Sequence, residues 1–131
     1  MSPKNKTTTT LLATFLGALG AHRFYLKGFG DIWGWLHVAV TSVGLVGIRR
    51  ITALGHDDRL AWALLPFLGI SITAACLQAL VIGLSKQDSP YSEERTTPLT
   101  IAAVVAALLL GATALMSSIA YALQRYFELN A

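Results

Sequence analysis

Four apolar stretches, at about 7–21, 32–48, 60–84 and 99–127, take up most of this chain, and short polar gaps separate them. A segment in hydrocarbon has no water to bond its N–H and C=O groups, so it must close those bonds internally. The stretches are too long for strands and do not alternate polar with apolar residues, and an open sheet would leave its edges unpaired. Helices are what remains. Composition agrees: 54% of the 131 residues are hydrophobic and 13% charged, against about 25% charged in an average soluble domain. The expected fold is an all-α integral membrane protein with four transmembrane helices and short loops, the first two helices forming a tight hairpin.

The tip of that hairpin is expected at 17–28, where Gly17-Ala18-Leu19-Gly20 runs into His22-Arg23-Phe24-Tyr25 and Gly28 follows. Residues 1–50 would form the hairpin and 51–131 the second pair of helices, in one compact membrane domain. The first stretch is short. Fifteen residues span only ~22 Å as a helix, and a hydrocarbon core is ~30 Å thick. The helix must run on to about Leu26, the bilayer must thin, or the segment must be re-entrant. We expect a full crossing, because a re-entrant segment needs shelter from the rest of the protein and this chain is small.

Charge placement bears on topology. Four crossings put Lys4, Lys6, Arg49, Arg50, Arg59 and Arg125 on one side and Arg23, Lys27, Lys86 and Arg95 on the other. That favours both termini in the cytoplasm. A re-entrant first stretch groups Lys4, Lys6, Arg23, Lys27, Lys86 and Arg95 against the other four, so charge alone does not separate the two arrangements. Lys4 and Lys6 ahead of an apolar run also look like a signal peptide. Further long spans follow, and the segment is expected to be retained as the first helix.

Small residues recur at helical spacing. Ser71, Ala75, Ala79 and Gly83 lie four apart, and Gly30 and Gly34 form a G-x-x-x-G. Ala103, Ala107, Gly111, Ala114, Ser118 and Ala122 form a third stripe. Such faces let membrane helices approach closely, within the chain or against another membrane subunit or a second copy. The ends of the stretches carry Trp33, Trp35 and Trp62, as an interfacial aromatic belt requires.

The first two helices resemble the two-transmembrane-helix domain family. Lys4-Asn5-Lys6, the run 11–16, Gly17-x-x-Gly20-x-His22-Arg23-Phe24-Tyr25-Leu26 and Gly28 carry the resemblance, which covers residues 4 to about 50. Lys27 separates Leu26 from Gly28, one residue more than the family's turn. The resemblance implies a membrane hairpin; the family is widespread in bacteria and also found in animals, and the expected location is a cell membrane, a bacterial inner membrane by preference. It implies no catalytic role, and residues beyond 50 carry no resemblance.

Few residues suggest chemistry. His22, Arg23, Phe24 and Tyr25 suit either a contact site for a partner or anionic lipid, or a helix-end anchor with aromatic neighbours. His37, inside the second stretch, could with Thr41 and Gln78 line a polar path, or simply bond a neighbouring helix. Haem needs a second histidine at matching depth, and His22 and His56 are not expected there. Asp57-Asp58 is a weak cation site without further oxygens. The single cysteine, Cys76, rules out an intrachain disulfide and fits a packing role. No nucleophile-base pair, phosphate loop or metal spacing is present, so neither enzyme activity nor a cofactor is expected. The +3 charge comes without a basic run, which argues against nucleic acid. Two functions remain: a non-catalytic accessory or scaffold subunit among membrane lipids and other membrane proteins, and an oligomeric channel component using His37, Thr41 and Gln78.

Overall fold

The computed structural model describes residues 5–85 and 95–131, which are helical apart from short turns, with no strand among the described residues. The helices are α1 (Lys6–Leu16), α2 (Ala21–Lys27), α3 (Ile32–Leu54), α4 (Arg59–Gly83) and α5 (Pro98–Asn130), and a 3-10 turn at Gly17–Leu19 joins α1 to α2.

Local chemistry sets the helix ends. The Thr8 N–H donates to Asn5 Oδ1 at 2.8 Å, capping α1. Asp58 caps α4 by accepting from the Ala61 N–H at 3.2 Å, and Arg50 holds the same carboxylate at 2.6 Å. Thr97 and Thr100 form a capping box at the start of α5, with Pro98 at its first position, where a missing N–H costs little. At the far end of α5, Arg125 pairs with Asp57 and donates to the His56 carbonyl at 3.1 Å. The two adjacent acids are thus committed to different partners. Ser89-Pro90, expected to break the chain between the last two helices, lies outside the described residues.

The first stretch is not one helix. Gly20 adopts φ +73°, a left-handed conformation that glycine takes without the clash a Cβ would cause, and the chain reverses there. The contacts of the two legs show the reversal. Lys6 Nζ donates to the Ser85 carbonyl at 2.6 Å, at the end of α4. Further in, Gly17 packs so tightly on Ala75 that an added Cβ would lie 2.4 Å from the Ala75 Cβ. Next, the Ala18 carbonyl accepts from the Thr41 hydroxyl. Thr41 in turn bonds Ser71, the middle residue of α4. Then α2 climbs back: His22 reaches Gln78, and the Asn5 N–H meets the Tyr25 hydroxyl at 3.4 Å. The turn therefore sits ~18 Å below the end of α4, twelve residues at 1.5 Å each, about halfway through a ~30 Å core.

Two expectations are corrected by this. Three helices, α3, α4 and α5, are long and apolar enough to cross a membrane; the first stretch, which doubles back at Gly20, is not among them. The tight reversal at 17–20 is inside the bundle, and Gly28–Asp31 then leads into α3. The termini also separate. Thr7 lies beside Thr100 at 2.9 Å, while α5 ends beside the 56–57 loop, so Asn5 and Asn130 occupy opposite ends of the bundle. The missing shelter turned out to be present. Thr9, Thr10 and Thr14 are buried against the rest of the protein, and each returns its hydroxyl to a carbonyl four residues back, at 2.8 Å. That leaves no polar group of this face to lipid. The threonine run reads in sequence only as a helix start; its packing role was missed.

Helix α4 is the hub. α3 and α5 both pack along it without meeting each other, and α1 lies against α4 and α5. Ser71, Ala75, Ala79 and Gly83 are all buried, as are Ala103, Ala107 and Gly111 on α5. Cys76 lies among them. Farther along α5, Ala114, Ser118 and Ala122 are half-buried, and Gly69 packs on Ser118 and the Ala114 carbonyl. Both stripes are thus occupied within the chain. Gly34 packs against Phe24 and Gly20, but Gly30 is exposed and has nothing near it. Within the chain Gly30 and Gly34 do not share a packed helix face, because Gly30 precedes α3. The glycines that seat α3 on α4 are Gly44 and Gly47, against Leu68 and the Ala61 carbonyl.

Glycines 20 and 28 make a test. Both have positive φ, but a Cβ at Gly20 would lie 2.5 Å from the Gly34 carbonyl oxygen, whereas Gly28 faces open space. Gly28→Ala should cost only the strain of its own backbone, which pairs φ +80° with an extended ψ of 178°, about 1–3 kcal/mol. Gly20→Ala should lower the unfolding temperature in detergent distinctly further. Equal effects would show that the Gly20–Gly34 contact is dispensable.

Candidate functional site

Where the re-entrant segment meets α3 and α4, five polar side chains line up in lipid-like surroundings. The bond directions follow from which atoms have protons to give. Thr41 donates to the Ala18 carbonyl. Ser71 Oγ lies 2.7 Å from Thr41 Oγ1 and supplies that proton. His37 Nδ1, 3.5 Å from Ser71 Oγ, is then the donor to it. This leaves His37 Nε2 as an acceptor, facing the Gln78 amide nitrogen at 3.5 Å. Gln78 Oε1 finally accepts from His22 Nε2. Each group gives one proton to the next. The two 3.5 Å contacts are at the long limit for hydrogen bonds.

Sequence distance hides this cluster. His22 comes from α2, Thr41 and His37 from α3, and Ser71 and Gln78 from α4. Thr41 and His37 share one face of α3, four residues apart, as helical spacing requires. His22 arrives only because the chain reverses at Gly20. Its ring is fully buried, with its centroid 5.6 Å from that of His37 in an edge-on arrangement. The expectation that His22 stays near a polar tip, away from the depth of His37, is thereby corrected. His22 Nδ1 is buried without a hydrogen-bond partner. Among the described residues no group of three or more metal-ligating side chains forms.

The other members of the 22–25 cluster are half-buried. Phe24 stacks on Phe29 and meets Trp35 edge-on, and Tyr25 lies against Asn5. Arg23 stays partly exposed and pairs with Asp31 at 2.7 Å. That guanidinium, by hydrogen bond and then by charge, holds the Asp31 carboxyl below its ordinary value of 3.8. On either side of Gln78 there is a groove. One of about 150 Å³ lies between α2 and α4, and one of about 220 Å³ lies between α3 and α4, beside His37 and Ser71.

The fold and this site define an α-helical membrane protein with a re-entrant N-terminal segment locked by buried hydrogen bonds. Residues 2–52 match the family model of the TM2 domain, and the rest of the chain has no family match. The matched part therefore ends within α3 and contains the re-entrant segment. No curated protein and no solved structure matches the chain. It is a multi-pass membrane protein whose N-terminal part carries the TM2 pattern.

Two measurements probe this junction. Thr41→Val removes the donor to the Ala18 carbonyl and the acceptor of the Ser71 hydroxyl, leaving one buried acceptor and one buried donor unmet; about 1–3 kcal/mol of stability in detergent should be lost. Ser42→Ala, which removes only a bond to the Val38 carbonyl of its own helix, should cost much less. For Asp31 the sign is that of a depressed acid: its contribution is complete above pH 3.8 and fades as pH falls through the lowered folded value. Thermal unfolding followed into acid should show that limb, and Asp31→Asn should flatten it.

Proposed function

We propose that this protein is a non-catalytic accessory or scaffold subunit of the membrane. The observation that supports this reading is where the polar chain ends. A backbone carbonyl accepts a proton-bearing group but has no proton to pass on, so the line from His22 to Ala18 stops at mid-depth. Its groups hold the re-entrant segment in place and offer no continuous route for ions. The outward faces of α3 and α5, with Leu36, Val43, Leu109 and Met116 exposed, are free to meet lipid, other membrane subunits or a second copy. We further place three crossings in the bilayer, with Asn5 and the 85–95 connection in the cytoplasm. On that side lie Lys4, Lys6, Arg23, Lys27, Lys86 and Arg95, against Arg49, Arg50, Arg59 and Arg125 on the other.

Two experiments test the reading. Purified protein in liposomes should conduct no more protons than empty vesicles; flux that disappears in His37→Ala would establish the channel function instead. For topology, single cysteines at Ser2 and Ala131 in a Cys76→Ala background should react with an impermeant maleimide from opposite sides of the membrane. Labelling from the same side would restore four crossings.

A further inference from the structure

We propose that the groove between α2 and α4 binds one anionic phospholipid, with its phosphate at Arg23 and Lys27 and one acyl chain against Leu26, Val81 and Ile82. No Cα of α2 comes within 8 Å of a Cα of α4. Across that gap the His22–Gln78 bond is the bridge, and the remaining space is the 150 Å³ groove. Its walls are apolar, and it opens at the end of the bundle where Lys6 and Ser85 lie, which is the headgroup level of a bilayer. Arg23 and Lys27 stand one turn apart on one face of α2 and both border the groove.

The charges at this mouth leave a surplus. Asp31 neutralises one cation, engaging Arg23 through Nε and Nη2. Lys27 is exposed and has no ion pair among the described residues. Carbonyls at this end of α4 would repel a phosphate, but several already accept hydrogen bonds: Leu80 from the Leu84 N–H, Ile82 from the Ser85 N–H and Gly83 from the Thr96 hydroxyl, while Lys6 holds the Ser85 carbonyl just beyond the helix. What faces the headgroups is a net positive rim over an apolar slot. A free anion would use the rim alone, and a neutral lipid the slot alone. An anionic phospholipid uses both.

The test is native mass spectrometry of the full-length protein in mild detergent, with phosphatidylglycerol and phosphatidylcholine of matched chains. The wild type should retain phosphatidylglycerol about fivefold over phosphatidylcholine, the size of one basic side chain near an anionic surface. Lys27→Gln should bring that ratio close to one, and Lys27→Glu should invert it. Arg49→Gln, at the opposite end, should leave it unchanged. Val81→Trp should release both lipids by filling the slot. Equal retention of the two lipids by the wild type would overturn the proposal. So would a loss with Arg49→Gln matching that of Lys27→Gln, unchanged retention in Val81→Trp, or displacement of phosphatidylglycerol by inorganic phosphate.

Discussion

A helix that stops in the middle of a membrane leaves carbonyls and N–H groups with nothing to bond, and the hydroxyl of Thr41 meets that need at Ala18. The rest of the architecture depends on this contact. It requires α3 to bring Thr41 to the depth of the break. It requires α4 to steady that hydroxyl with Ser71. It also requires that nothing bulky intervene, which is why Gly17 rests on Ala75 and Gly20 on the backbone of Gly34. Water would satisfy the same carbonyl at a protein surface without any of these partners.

Small side chains and polar groups therefore work together here. The buried residues of α4 are mainly small, and so are those they meet on α1 and α5. Close backbone approach brings hydroxyls within reach of carbonyls on neighbouring helices, as with Thr73 Oγ1 donating to the Gly111 carbonyl at 3.0 Å. In lipid, hydrophobic burial gives helices little reason to associate, and such contacts take over that role. The long side chains consequently face outward: Phe15, Leu77, Leu109 and Met116 are all exposed. The pattern is the inverse of a soluble core.

Much of this was legible in the residues. The apolar stretches became α3, α4 and α5, with α3 running through Arg49 and Arg50 to Leu54, six residues past its expected end at 48, and the stripes at 71–83 and 103–122 marked faces that are covered in the fold. The 2–52 family match agrees with the motif around His22. The site was less legible. His37, Thr41 and Gln78 were singled out together, but as a path, and His22 was assigned to the surface. The missing information was the direction of the chain after Gly17. A glycine pair allows a straight helix, a kink or a reversal, and its sequence does not say which. Gly44 and Gly47 escaped notice for a related reason: three-residue spacing of glycines in an apolar stretch is common, and only the neighbour, Leu68 or Ala61, gives it meaning.

By itself, the sequence determined that the backbone lives in hydrocarbon and must be helical, since charge depletion and run length act locally and leave no other way to bond the peptide groups. It also determined which faces are small enough for close contact. Only the tertiary structure decided that the first stretch turns back at mid-depth and that two distant histidines touch. Those outcomes rest on whether the buried threonines and the broken ladder find partners. The threonine hydroxyls bond within their own helix, but what shelters them and what meets the break lies far off: Thr7 meets Thr100, 93 positions away, and Ala18 meets Thr41, where no local pattern points to them.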